Sequence, residues 1–178
     1  MGPAPTIRPE RPEDAVEIAS VVEEAFESIA VAELVAAIRA SEHFFPELSL
    51  VAEVEGHVVG HVMISRATLD DGVLQSPIMT LSPLAVAPGH QRRGIGAALV
   101  RAVTTAADER GEPFVVLEGS PIYYGRLGFE PAAAHGITLP LPSWASPAAA
   151  QLMRLAADVP TLRGHVVYPS AFDIIAEH

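Results

Sequence analysis

The 178-residue chain has a formal net charge of -11, and its eleven basic residues are all arginine. Too few cations remain for a phosphate-neutralising face, which excludes a nucleic-acid partner, and without lysine a Walker-type phosphate loop is impossible. Cysteine is absent too, so disulfides, thiolate metal sites and a cysteine nucleophile are excluded.

Apolar residues make up 49% of the chain and charged residues 19%, the balance of a folded globular protein. The length predicts a single domain over residues 1–178. No basic N-terminal segment leads into an apolar stretch, and no run of about 18 apolar residues occurs. The reading is therefore a soluble cytoplasmic protein with no membrane partner. The absence of lysine and asparagine fits the codon bias of a GC-rich bacterial genome.

In chain order, Thr6 to Arg8 reads as a short strand. Pro12 opens a helix with Glu13 and Asp14 in its first turn, where carboxylates suit the dipole. Ile18, Val21, Val22, Ala25 and Phe26 then form one stripe at helical period, and a second helix follows over Val31 to Ala40. From Leu48 the period changes to two. Leu50, Ala52 and Val54 alternate with mostly polar neighbours, Glu55-Gly56 turns, and Val58 to Ile64 returns as a hairpin partner.

Ile78 to Val86 reads as an apolar strand stopped by Pro88 and Gly89. A long helix with Ile95, Leu99, Val103 and Ala106 on one face follows, ended by Gly111, and then a buried strand over Phe114 to Leu117. Strand, helix and strand in that order predict a right-handed crossover between parallel strands. An antiparallel front and a parallel rear give an α/β fold with a central mixed sheet flanked by helices. In the tail, Pro140, Pro142 and Pro147 break the chain, Ala148 to Ala157 reads as a short helix, and Gly164 to Tyr168 as a last strand.

The most informative segment leaves the strand end Leu84-Ala85-Val86, turns at Pro88-Gly89 and runs as Gln91-Arg92-Arg93-Gly94-Ile95-Gly96-Ala97 into the long helix. Two glycines between a strand and a helix let successive backbone N–H groups point inward, and the helix N-terminus adds partial positive charge, a combination suited to a pyrophosphate. A plain tight turn has the same spacing. The dinucleotide fingerprint does not fit, because Leu99 stands at its third glycine position.

The run Leu84 to Ala97 resembles the acetyl-CoA signature of the GNAT acetyltransferases, with Gln91, Gly94 and Gly96 at its defining positions. Ile7-Arg8-Pro9 with Asp14 resembles that family's opening, and Tyr123-Tyr124-Gly125-Arg126-Leu127-Gly128-Phe129 is a third match. Pro83 to Val86, Tyr123-Tyr124 and Gly128-Phe129 are most similar to a bacterial subgroup, the YhbS-like proteins.

The resemblance implies a GNAT acyl-CoA N-acyltransferase fold in which the strands at Ile78–Val86 and Phe114–Leu117 splay to admit acetyl-CoA. Backbone groups of Leu84, Ala85 and Val86 would pair with the pantetheine arm. The loop Gln91, Arg92, Arg93, Gly94, Ile95, Gly96 and Ala97 would hold the pyrophosphate, with no metal involved. The implied reaction is direct attack of a primary amine, from a small molecule or a peptide, on the thioester. Tyr124, four residues before Gly128, stands at the position of the general acid; the competing role for a tyrosine here is packing, which Tyr123 suits better.

The base has no clear holder. The family's carboxylate on the strand before the loop is replaced by Thr80-Leu81-Ser82-Pro83, and Glu118, His57, His61 and His135 are the alternatives. The family's frequent asparagine after the later parallel strand is also absent, and Gly119-Ser120-Pro121 stands there. Loss of a recognisable base keeps open a catalytically idle acyl-CoA-binding module used for sensing or assembly. Phe26, His43-Phe44-Phe45 and the stretch from Pro131 to Trp144 are the regions that would shape an acceptor site, and a homodimer is compatible with the sequence.

Overall fold

The computed structural model describes residues 2–176. Strand β1 (Thr6–Pro9) leads into helices α1 (Ala15–Phe26) and α2 (Ile29–Arg39), followed by strands β2 (Ser49–Val54), β3 (His57–Asp70) and β4 (Gln75–Val86). Helix α3 (Ile95–Glu109), β5 (Phe114–Glu118) and α4 (Pro121–Gly125) form the middle. The remainder is β6 (Glu130–Pro131), β7 (Ile137–Thr138), β8 (Ala150–Arg154), β9 (Gly164–Val167) and α5 (Asp173–Ala176).

The opening is fixed by charge. Arg8 donates to Asp14 at 2.7 and 3.0 Å and to Glu53 of β2 at 2.8 and 2.9 Å, so that β1, the start of α1 and β2 share one ion-pair cluster. Asp14 also accepts from the amide of Arg11 at 2.7 Å. These bonds, that from Arg8 foremost, hold its carboxyl below the usual carboxylate range.

Among the described residues the sheet runs in the order β1-β2-β3-β4-β5-β8-β6, with β9 on the part of β3 that β2 does not reach, and β7 on β9. Strands β1 to β4 are antiparallel, and β4 with β5 is parallel, as the strand–helix–strand reading requires. Helix α3 covers one face, burying Ile95, Leu99 and Val103 against Leu50, Val62, Leu81 and Leu117. Helices α1 and α2 cover the other, placing Ile18, Val22, Leu34 and Ile38 over Val51, Met63 and Ala85. Ala106 is only partly buried and Ala107 fully, because a period of 3.6 residues carries the stripe round the helix. Phe26, the last residue of α1, runs past the core edge and is 45% exposed.

The segment read as a helix over Ala148 to Ala157 is a strand. Ala150 to Arg154 pairs with the whole of β5, from Glu118↔Ala150 to Phe114↔Arg154, and on its other edge with β6. Without β8, β5 would be left as an apolar open edge; satisfying its backbone outweighs the helical preference of an alanine-rich run.

Two irregularities shape the centre of the sheet. Between Val62↔Leu84 and Ile64↔Leu81, β4 spends three steps against two of β3, a β-bulge containing Ser82 and Pro83. Beyond the bulge β4 no longer meets β5, whose pairing with it is confined to Met79↔Val115 and Thr80↔Val116.

His61 lies on β3 opposite Val51 and Ala85, wholly buried. Its Nε2 is 3.0 Å from Ser49 Oγ, and its Nδ1 has no partner. Burial, aided by the charge of Arg39, pushes its pKa down to about 3. An unfolded histidine titrates near pH 6.5, so the unfolded chain binds the extra proton first, and stability present above that pH is lost as pH falls toward 3. Urea unfolding at pH 6.5 and pH 5 should differ by about 1.5 kcal/mol, because the slope rises from half of about 1.4 kcal/mol per unit at pH 6.5 toward that full value below it. His61→Leu should flatten that slope; equal wild-type stability at both pH values would overturn the account of His61.

Candidate active site

The end of β4, the loop after it and the start of α3 converge where β4 leaves β5. Gln91 clamps the loop back onto the strand, its side-chain amide donating to the carbonyl of Val86 at 2.9 Å. Arg92 (φ 60°) and Gly94 (φ 81°) adopt left-handed backbone, which turns the chain into α3. Ile95, Gly96 and Ala97 form the first turn, and the first intrahelical bond runs from Ala98 N–H to the carbonyl of Gly94 at 3.0 Å. The amides of that first turn have no carbonyl one turn back to receive them. They face a depression of about 220 Å³ lined by Val86, Gln91, Arg92, Gly94 and their helical neighbours, together with His90 and Tyr123.

Gly96 is the position where a side chain would fill this space. A Cβ there would lie 2.6 Å from the Tyr123 hydroxyl, 3.7 Å from Val86 Cγ2 and 3.8 Å from Leu84 Cδ2. Leu84 and Val86 thus turn toward α3, whereas the Ala85 side chain is buried on the α1/α2 side. Along Leu84, Ala85 and Val86 the edge of β4 away from β3 has no strand partner among the described residues. Arg93 departs from the other loop residues: it lines a neighbouring groove with Gly2 to Pro5, Val54, Glu55 and His90.

The second half of the site follows β5. Ser120 caps α4, accepting from the amide of Tyr123 at 3.3 Å, and Pro121 occupies the first turn, where its missing N–H is harmless. Tyr124 is partly buried against the α3-side core, edge-on to Phe129 with ring centroids 5.7 Å apart. A Cβ on Gly119 would collide with the Tyr124 ring, so the bare glycine is what lets the ring lie over the end of β5. Burial first, and then the neighbouring Tyr123, push the Tyr124 hydroxyl up to about 12, and it keeps its proton at neutral pH. Tyr123 is the more open of the pair at 40% exposure. The packing role that suited Tyr123 in the sequence thus falls largely to Tyr124, while Tyr123 faces Gly96. Which of two adjacent tyrosines turns inward depends on the angle of α4 over β5, which the sequence does not encode locally.

The four base candidates lie in different surroundings. His57 is an exposed residue 3.7 Å from Glu17, at the hairpin end of β3. His61 is sealed inside the α1/α2 core. His135 is engaged on both nitrogens, by Glu130 at 2.7 Å and by Arg154 at 2.6 and 2.9 Å. Glu118 ends β5, one residue before Gly119, and accepts from the hydroxyl of Tyr168 at 3.0 Å. Tyr168 is a partner that sequence reading missed, because it lies 50 positions away. No cluster of His, Asp and Glu suited to a metal occurs among the described residues, nor does any helix long and apolar enough to cross a membrane.

A profile of the acetyltransferase (GNAT) family matches residues 15–129. The uncharacterized N-acetyltransferase YjhQ of Escherichia coli strain K12 is 39% identical over 156 residues, 86% of this chain and 86% of that protein. The crystal structure of the GNAT family N-acetyltransferase YhbS from Escherichia coli in complex with CoA superposes with a TM-score of 0.86 at 32% identity, covering 97% of this chain and 95% of that one. A GNAT family acetyltransferase from Brucella melitensis in complex with acetyl-CoA gives 0.77 at 33% identity, covering 95% and 98%. A loop of free amides at a helix start, a parted pair of parallel strands and the sequence relationship agree: the chain belongs to the acetyltransferase (GNAT) family and is an acyltransferase.

Proposed function

We propose that this enzyme transfers the acetyl group of acetyl-CoA to a primary amine of a small molecule or peptide by direct attack of the nitrogen on the thioester. The observation that carries the reading is the gap between β4 and β5, with the unpaired edge of Leu84 to Val86 on one wall and the free amides of the α3 start at its mouth. The same proposal treats residues 1–178 as one acyltransferase unit at work in the cytoplasm.

In this reading the backbone of Leu84, Ala85 and Val86 pairs with the pantetheine arm as an added strand would. The amides from Arg92 to Ala97 hold the pyrophosphate, supported by the dipole of α3. Gln91 fixes the loop from beneath, so its part is to shape the cradle. Arg93, turned to the neighbouring groove, contributes through its backbone and its charge. The donor supplies a carbonyl activated by a sulfur leaving group. A backbone N–H of the β4 edge stabilises the negative charge that develops on the carbonyl oxygen, and Tyr124 gives its proton to the departing sulfur. The net charge of -11 favours a cationic acceptor.

Calorimetry with coenzyme A and a thiol-release assay with acetyl-CoA and an amine panel test the two halves of the proposal separately. Binding without thiol release for any amine would leave an idle acyl-CoA-binding module. Gly96→Val should weaken coenzyme A binding at least about 10-fold, equivalent to about 1.4 kcal/mol, since the added methyls occupy the space between Tyr123, Val86 and Leu84. An unchanged dissociation constant would move the pyrophosphate elsewhere. Tyr124→Phe keeps the ring against Gly119 and Phe129 and should lower turnover about 10-fold or more at unchanged coenzyme A affinity; wild-type turnover in this variant would remove Tyr124 from the mechanism.

A further inference from the structure

An acceptor amine reaches neutral solution mostly as an ammonium ion, so attack requires a base, and strand β4 presents none. Its residues at the bulge, Thr80 to Pro83, carry no carboxylate. The end of β5 supplies one instead. Thr80 pairs with Val116, and Glu118 stands two residues beyond Val116, so the three side chains share a face of the sheet. It is the face away from α3, which takes Met79, Val115 and Leu117. Glu118 is also the last paired residue before Gly119, on which the Tyr124 ring rests. Proton acceptor and proton donor are therefore carried by one turn, at the point where β4 and β5 have parted.

Glu118 is exposed at the end of its strand, but its carboxylate is tethered. Its carboxylate accepts from Tyr168 at 3.0 Å, and Tyr168 is itself fixed by a stacked contact with Phe172, rings 4.8 Å apart and 18° from parallel. Tyr168 lies just past the end of β9, and Thr80 of β4 stands by the same hydroxyl. Ala150 of β8 is the cross-strand neighbour of Glu118, while Tyr123 and Tyr124 lie toward α3. Among the described residues no arginine or histidine acts on the carboxylate. Burial raises the Glu118 carboxyl, and the bond from Tyr168 draws it partly back. Burial and the adjacent carboxylate together push Tyr168 upward, and it remains a protonated donor. These surroundings hold the carboxylate in place and make it a better proton acceptor than an ordinary glutamate.

We propose that Glu118 is the general base that deprotonates the acceptor ammonium and that Tyr168 is its positioning residue. The assignment rests on the acetyl-transfer reading above. Glu118 takes one proton from the ammonium, freeing the nitrogen lone pair. The C–N bond then forms, the C–S bond breaks, and Tyr124 passes its proton to the sulfur. The second proton shed by nitrogen as the amide forms restores Tyr124, and the proton on Glu118 leaves to solvent. One ammonium and one thioester thus give one amide, one thiol and one released proton.

The test is the pH profile of kcat/KM, measured by thiol release with acetyl-CoA and the best amine of a panel, alongside calorimetry with coenzyme A. Glu118→Gln should lower kcat/KM at neutral pH at least about 10-fold and abolish the acidic limb, with coenzyme A affinity unchanged. Tyr168→Phe removes a hydrogen bond to the charged form and should move the acidic limb to higher pH, an effect that loss of packing alone would not produce. Carboxyl NMR on the intact protein should show Glu118 titrating above an ordinary glutamate, and higher still in Tyr168→Phe. A Glu118→Gln enzyme with wild-type rate and an intact acidic limb overturns this assignment alone; a wild type that binds coenzyme A but acetylates no amine overturns the transfer reading and the assignment with it. A Glu118 titration unmoved by Tyr168→Phe overturns the role of Tyr168.

Discussion

The organisation of this enzyme depends on one extra residue in β4. A bulge against β3 lets the strand keep its partner on one edge while its other edge turns away from β5 after Thr80. Buried backbone groups require partners, and Leu84 to Val86 present a row of them toward a gap that protein does not fill. In the proposed reading a molecule bearing amide groups, the pantetheine arm, meets that requirement, and the strand's irregularity would then be its binding surface. The loop that follows continues the same logic, with the open amides of a helix start in place of an open strand edge.

The two faces of the sheet divide the labour. On the α3 side lie the glycine loop, Leu84, Val86 and the pair Tyr123 and Tyr124. On the other lie Thr80, Glu118 and Tyr168, with the cores under α1 and α2 beyond them. The gap between β4 and β5 joins the faces. Gly119 matters because it sits at that junction: the absence of its side chain lets the Tyr124 ring close over the strand end.

Much of this was legible from residues alone wherever the information is local. The hairpin at Glu55-Gly56, the stripes of α1 and α3, the crossover from β4 to β5 and the glycine loop all follow from periodicity and turn chemistry within a few residues. Ala148 to Ala157 misled because alanine-rich sequence favours helix unless a neighbour needs its backbone, and that neighbour, β5, lies about thirty residues earlier. The buried state of His61 was equally hidden: only the packing of α1 and α2 over β3 removes it from water.

What the sequence by itself determined is the chemistry available: arginine in place of lysine, no thiol, two glycines before a helix, and tyrosines four and five residues before Gly128. These are properties of side chains and short-range geometry, and they survive any arrangement of the chain. Tertiary structure alone decided which tyrosine faces the loop, which strand edge stays open, and that Tyr168 meets Glu118 across 50 residues. Those outcomes depend on how sheet and helices pack at a distance, and contacts of that kind leave no local pattern to read.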